Sequence, residues 1–175
     1  MRQYVRAYIP GGCYFFTVTL ADRRSDLLIS HIDALRHAFR RTRDDHPFTV
    51  EAIVVLPDHL HAIWTLPPDD ADFSLRWSLI KSRFSRSIGC TERISASRAE
   101  KRERGIWQRR FFEHAIRSQD DLDNHIHYIH WNPVKHGWAE RAGDWPHSSI
   151  HRFIRDGKLE SGWSAARTVQ AMRLE

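Results

Sequence analysis

Residues 48–56 and 59–66 are two apolar, β-branched runs separated only by Pro57-Asp58. A link that short lets two strands pair in one way, as an antiparallel hairpin. The rest of the chain has to be arranged around that hairpin. Upstream, residues 13–20 (Cys-Tyr-Phe-Phe-Thr-Val-Thr-Leu) read as a buried first strand, with Gly11-Gly12 as a natural break before it. Between this strand and the hairpin, Ser30 or Asp33 starts a helix. Ile32, Leu35 and Phe39 lie on one face of it, Arg36, Arg40 and Arg43 lie elsewhere, and His46-Pro47 closes it.

Downstream, Pro67-Pro68-Asp69-Asp70 ends the sheet segment, and residues 73–88 carry Leu75, Leu79, Ile80, Phe84 and Ile88 at helical spacing. Residues 90–105 are charged and poor in apolar side chains, the composition of a mobile loop. Residues 107–116, with Phe111, Phe112, Ala115 and Ile116, are expected to form a fourth strand. Ser118 caps a third helix over 119–131, which Asn132-Pro133 is expected to stop. Residues 148–155 suit a short final helix. The order is strand, helix, strand, strand, helix, strand, then an extra helix. That order specifies an α+β fold: a ferredoxin-like βαββαβ core with an antiparallel sheet, both core helices on one face, plus an additional C-terminal helix carrying Tyr128. We expect a single domain over residues 1–175, its core spanning residues 8–155 or so, followed by a tail at 156–175.

The charge is unevenly placed. The chain carries a net +5, yet residues 76–117 alone hold 12 Lys/Arg against 4 Asp/Glu. Such a run is either a solvated helical face or a phosphate-binding surface. The interleaved tryptophans and phenylalanines favour the second. Lys81, Arg83, Arg86, Arg109 and Arg110 are the candidate phosphate contacts. Trp77, Trp107 and Trp131 either stack on unpaired bases or pack in the core. Two lone cysteines, Cys13 and Cys90, make no metal pair and suit a reducing cytoplasm. No apolar run of roughly 18 residues is present, so no membrane span is expected.

Two short segments carry the chemistry. On the third strand, His59 and His61 alternate onto one face with Ile63, while Leu60, Ala62, Trp64 and Leu66 point the other way, into the helix-covered core. Alone, the pair reads more readily as two solvent-facing histidines than as a chelate. His125-Ile-His127 repeats the pattern on a helix, where residues two apart diverge and cannot readily chelate. On the third helix Leu122, Ile126 and Ile129 form a buried stripe, and His125, Tyr128 and Asn132 form a neighbouring one. Tyr128 and Asn132 thus lie one turn apart. Taken separately, they are a surface aromatic and a helix-ending residue. Taken with His59 and His61, they suit phosphoryl chemistry: imidazoles and an amide oxygen hold a cation that neutralises charge on a phosphate, and a phenol attacks it. A 5′-phosphotyrosine conserves the energy of the cleaved bond, so a 3′-OH can reverse the step. Asp58 either orients a histidine or is a plain turn residue. His114 on the fourth strand faces either the site or solvent.

His59-Leu60-His61 resembles the histidine–hydrophobic–histidine (HUH) motif of single-tyrosine transposases. The run Tyr-Ile-His-Trp-Asn-Pro-Val-Lys-His-Gly from Tyr128, followed by Trp-Pro-His-Ser-Ser from Trp145, resembles the signature of REP-associated tyrosine transposases. Trp107-Gln-Arg-Arg-Phe-Phe is similar to that family's fourth-strand segment. The resemblance runs from about residue 14 to 153. It implies Tyr128 as nucleophile, His59, His61 and Asn132 as metal ligands, and Mg²⁺ or Mn²⁺ as the ion. It also implies single-stranded DNA beside a hairpin as substrate; one tyrosine per chain permits a monomer or a homodimer. The expected activity is that of a metal-dependent single-stranded DNA endonuclease and strand transferase. Two alternatives stay open: a non-enzymatic protein that recognises hairpin DNA, and a hydrolytic nuclease in which a water attacks and Tyr128 is structural. Residues 90–105 and 156–175 match no family contact or motif.

Overall fold

The hairpin forms as its spacing requires. In the computed structural model, which describes residues 8–89, 97, 100 and 104–174, β2 (Thr49–Val55) and β3 (His59–Thr65) pair antiparallel across the Pro57-Asp58 turn. The central strand β1 (Cys13–Thr19) pairs antiparallel with β3 on one side and with β4 (Phe112–Ala115) on the other, giving the order β2-β3-β1-β4. This is the antiparallel sheet expected of a ferredoxin-like core. The preceding segment contains two helices where one was expected: a single turn, α1 (Leu27–Ser30), and then α2 (Ile32–Asp45), with His31 between them. The helix α3 covers Phe73–Ser87, its N-terminus capped by Asp72, whose side chain accepts from the Leu75 N–H.

Both α2 and α3 lie on one face of the sheet. There the inward alternation of β1 and β3 (Tyr14, Phe16, Val18; Leu60, Ala62, Trp64) meets Leu35, Ala38, Phe39, Phe73, Trp77, Ile80 and Phe84. Trp77 stacks on Trp64 at 4.2 Å between ring centroids and is 1% exposed, so of its two readings core packing is the one realised. Trp107 is also buried, edge-on to Phe84 at 5.4 Å. Leu75 is 40% exposed; the buried stripe of α3 is made instead by Phe73, Trp77, Ile80 and Phe84, together with Arg76. The Arg76 guanidinium is held by Asp70, Pro47 O and Asp72 O, which removes one member of the basic run from the surface.

The fourth strand is shorter than residues 107–116 suggest. Only Phe112–Ala115 pairs continuously, and Trp107 touches the sheet through one isolated bridge to Leu20. The loop expected at 90–105 falls largely outside the described residues. Helix α4 (Gln119–Lys135) begins at Ser118 as expected but does not stop at Asn132-Pro133. Pro133 removes one bond to the Ile129 carbonyl and crowds that carbonyl, which weakens the helix at one point but does not bar the short stretch to Lys135, where few further bonds are needed. The helix ends at His136 and Gly137, which sits at φ 71°. The N–H of Gly137 bonds to Val134 O and that of Trp138 to Pro133 O, the double bond of a left-handed C-cap.

Trp145-Pro146-His147-Ser148-Ser149 runs along the outer edge of β2. Val55 N bonds to His147 O, Ser149 N to Ile53 O, Ile53 N to Ser149 Oγ, and the Trp145 indole to Val55 O. The motif therefore covers what would otherwise be an exposed strand edge. Helix α5 (Ile150–Arg155) follows, then α6 (Arg167–Gln170). No helix among the described residues is long and apolar enough to cross a membrane.

Candidate active site

The sheet's second face is polar at its centre. Residues that alternate away from α2 and α3 include Thr17 and Thr19 on β1 and His59 and His61 on β3, with His61 registered opposite Thr17 and His59 opposite Thr19. Helix α4 lies over this face, and its own polar stripe turns inward: His125, Tyr128 and Asn132 are buried with Ile129, while Leu122 and Ile126 are only partly buried. Of the expected buried stripe only Ile129 is fully buried, while its polar neighbour is buried throughout. A polar strip on the sheet is matched by a polar strip on the helix, and the aliphatic side chains fill the margin. The histidines are not solvent-facing, since His59 is 1% and His61 0% exposed.

Each imidazole is held through Nδ1. His59 Nδ1 is 2.8 Å from Asp58 Oδ1, and Asp58 Oδ2 is 2.6 Å from Arg23 Nε. A carboxylate only accepts, so His59 donates from Nδ1 and its lone pair sits on Nε2. Burial alone would raise the Asp58 carboxyl, but the hydrogen bond from His59 and the charge of Arg23 hold it below the ordinary value. His61 Nδ1 is 2.9 Å from Thr17 Oγ1, whose hydroxyl donates to Leu174 O at 2.7 Å. With that proton committed, Thr17 accepts from His61, and the His61 lone pair is likewise on Nε2. The two rings lie 5.1 Å apart at 82°. Asn132 is fully buried, and neither its amide oxygen nor its amide nitrogen has a hydrogen-bond partner; His59 Nε2 has none either. Buried polar atoms are almost always satisfied. Two imidazoles presenting lone pairs and an orphaned amide oxygen form a donor set that fits a divalent cation.

The Tyr128 ring lies 5.3 Å from the His61 ring at 71°, on the same side of the sheet. Its hydroxyl accepts from Lys135 Nζ at 3.0 Å, and the ammonium stands 4.8 Å from the ring centroid. The sequence shows Lys135 only as part of the Tyr-to-Gly run, because a helix stopped at Asn132-Pro133 does not reach it; it lies two helical turns beyond Tyr128, a spacing that identifies it once the helix is extended. The backbone N–H of Leu174 also reaches the phenol oxygen at 3.4 Å. With Trp163, Ala165, Val169, Met172 and Leu174 packed against this face, the C-terminal segment covers Tyr128, which is 1% exposed.

Other candidates are distributed as follows. His125 and His127 diverge: the first packs on Phe15 at 4.8 Å, the second on Trp163 at 5.3 Å. His114 faces Asp121 at 2.9 Å and stacks on His125. Trp131 is partly buried beside the second-face cluster. Lys81, Arg86 and Arg109 line a cleft of about 620 Å³ between α3 and residues 104–111, with Trp107 and Phe111. The Lys81 ammonium stands 5.5 Å from the Phe111 ring, and Arg110 is exposed nearby. Arg83 is tied to Asp45 at 2.6 Å and to Thr42 at 2.7 Å. Because α3 lies on the first face, this basic cleft is not part of the Tyr128 layer.

Comparison with known proteins gives a consistent outcome. Residues 11–132 match the family model described as "Transposase IS200 like". A REP-associated tyrosine transposase of Escherichia coli (strain K12) is 46% identical over 164 residues, covering 94% of this chain and 92% of that protein. A Haemophilus influenzae relative is 42% identical over 165 residues, 93% of each chain. A solved REP-associated tyrosine transposase bound to a REP hairpin superposes with a TM-score of 0.84 at 44% identity, covering 95% of this chain and 93% of that one.

Proposed function

The chain belongs to the IS200-like transposases and, among them, to the REP-associated tyrosine transposases, and from that premise we propose that it cleaves and rejoins single-stranded DNA beside hairpin-forming repeats through a covalent bond to Tyr128. The observation that carries this reading is the placement of the Tyr128 phenol against His61, on the same buried face as His59 and Asn132. The Tyr128 oxygen attacks a backbone phosphorus and the bond to the 3′ oxygen breaks. One strand is released with a 3′-OH, and the other stays attached through a 5′-phosphotyrosine. A 3′-OH then attacks the same phosphorus, reforms a phosphodiester and frees the phenol.

His59, His61 and Asn132 would hold the divalent ion, Mg²⁺ or Mn²⁺. When bound, that ion supplies charge neutralisation at the phosphate oxygens. Asp58 and Thr17 fix the tautomer and orientation of the two imidazoles. Lys135 holds the phenol oxygen and favours negative charge on it. DNA reaches Tyr128 only when residues 163–174 move off this face. The hairpin held by the solved relative suggests the same class of substrate here. Lys81, Arg86, Arg109 and Arg110 offer it phosphate contacts, while Arg83 beside them braces α3 against α2.

The test is a denaturing gel. Wild-type protein incubated with a labelled single-stranded hairpin and Mn²⁺ should yield a protein–DNA adduct that chelator prevents. Tyr128→Phe should bind the hairpin and give no adduct. Cleavage at wild-type rate by Tyr128→Phe would remove Tyr128 from the mechanism and leave a hydrolytic nuclease. Salt-sensitive binding without any cleavage by the wild type would leave only a hairpin-binding protein.

A further inference from the structure

The N-terminal turns of α4 hold a second convergent donor set, separate from His59, His61 and Asn132. His114 comes from β4, and Asp121 and His125 from α4, four residues apart and so on one helix face. One ligand atom from each lies within 4.8 Å of the other two. Asp121 Oδ1 is the common point, 3.2 Å from His114 Nε2 and 3.1 Å from His125 Nδ1. Ligands bound at about 2.0–2.1 Å around a tetrahedral ion are separated by ~3.3 Å, so two of the three edges are already near that length. The rings stack at 4.8 Å with only 14° between their planes.

Hydrogen bonding accounts for only part of this arrangement. Asp121 accepts from the Arg117 N–H at 3.0 Å and donates its own N–H to Ser118 Oγ at 3.1 Å, a reciprocal cap that alone explains an acidic residue here. A cap does not explain two imidazoles stacked face to face over the same carboxylate. Two imidazolium ions would repel in that stack. Burial is the main influence lowering the His125 pKa, with the nearby His114 charge acting the same way, while Asp121 opposes them. His114 and Asp121 are partly exposed, which leaves an entry path and room for water ligands.

We propose that His114, Asp121 and His125 form a binding site for a first-row divalent ion, with Zn²⁺ the best match to two imidazoles and one carboxylate. On binding, His114 shifts its proton from Nε2 to Nδ1. His125 shifts its proton from Nδ1 to Nε2 and gives up its bond to Asp121 O (2.8 Å). Both lone pairs then face the ion with no net loss of protons. The ion would clamp the first turns of α4 to β4, one turn ahead of Tyr128, and so act as a structural pin for the helix that carries the phenol.

Co²⁺ is a suitable probe, because its visible absorption reports nitrogen and oxygen ligation and dialysis counts the bound ions. His114→Gln and His125→Gln should each bind one equivalent fewer than wild type, with the corresponding absorption lost. This difference is the readout whether or not the His59–His61–Asn132 set also takes Co²⁺, and Asn132→Leu reports on that set separately. Thermal unfolding of each variant confirms that it is folded. His114→Gln replaces a partly exposed side chain and can still donate to Asp121, so it keeps the test open if His125→Gln unfolds. An unchanged count in folded His114→Gln would overturn the proposal and leave a hydrogen-bonded cluster.

Discussion

The two faces of the sheet are built on opposite principles. The face under α2 and α3 is a continuous packing of rings and aliphatic side chains: Trp64 on Trp77 at 4.2 Å, Phe48 on Trp64 at 4.2 Å, Phe16 on Trp64 at 4.9 Å. The face under α4 is also buried, but its centre holds Thr17, Thr19, His59, His61, His125, Tyr128 and Asn132. Burying polar groups costs free energy unless they are paired, and some of these are not. The first face therefore carries much of the stability of the fold, and the second buries polar groups at some cost to that stability. Alternate residues of β1 and β3 supply both faces, so the apolar face also fixes where the polar face points.

The sharpest way to break this division is to exchange the expected consequences. Trp77→Ala removes a fully buried ring from the first face and should cost about 3–5 kcal/mol of unfolding free energy, read as a urea midpoint. Tyr128→Phe removes only a hydroxyl on the second face and should cost no more than ~1.5 kcal/mol in the same assay. Equal losses for the two would show that the second face is as structural as the first.

Lys135→Met sharpens the comparison within the second face. It keeps the apolar stem and removes the ammonium that the Tyr128 hydroxyl accepts from. Loss of one such electrostatic partner is expected to slow adduct formation by about 100-fold, ~2.7 kcal/mol, with hairpin affinity little changed and Lys135→Arg partly restoring the rate. A wild-type rate in Lys135→Met would make this lysine a packing residue.

The sequence was unequally readable across the same two faces. The first face follows from alternation and helical spacing, and Leu35, Phe39, Ile80 and Phe84 all lie where periodicity puts them. His59, His61, Tyr128 and Asn132 were legible as residue types, but their burial was not, because no local pattern says that a helix will turn a polar stripe toward a sheet. Lys135 stands in the Tyr-to-Gly run but gains no role from the sequence, because Pro133 reads as a stop signal although it lies inside the last turns of α4. The covering segment was hidden because Trp163, Val169, Met172 and Leu174 are spread through a stretch whose described helix is only Arg167–Gln170. The Trp-Pro-His-Ser-Ser motif was visible, but its pairing along the edge of β2 is a long-range contact that no local rule reports.

Asn132→Leu inverts the usual sign of a core substitution. The amide is fully buried and neither of its polar atoms is bonded, so each unmet hydrogen bond costs on the order of 1–3 kcal/mol. In the presence of chelator, a leucine of similar shape should raise stability by about 1 kcal/mol while abolishing Mn²⁺-dependent adduct formation. A destabilised Asn132→Leu would mean that the amide is satisfied in solution, and the case for it as a waiting ligand would fall.

The smallest effect comes from His130, fully buried on α4, with Nε2 3.0 Å from Ser149 Oγ and its ring 4.7 Å from Phe153. Burial first, then the charges of His127, Arg152 and His151, lower its pKa from 6.5 to about 3. In that interval the unfolded chain binds a proton that the folded chain refuses. Stability is therefore complete above the unfolded value and is lost as pH falls through it toward the folded one. Between pH 7 and pH 5.5 the loss from this one group is about 1 kcal/mol. His125 and His147 are lowered in the same sense, so the whole protein should lose more, and His130→Gln should flatten the slope by that ~1 kcal/mol while leaving their share. A slope unchanged in His130→Gln would show that the interior between α4 and α5 admits a charged imidazole. That interior would then be wetter than its burial suggests, and the contrast with the Trp64–Trp77 face would narrow to one of packing alone.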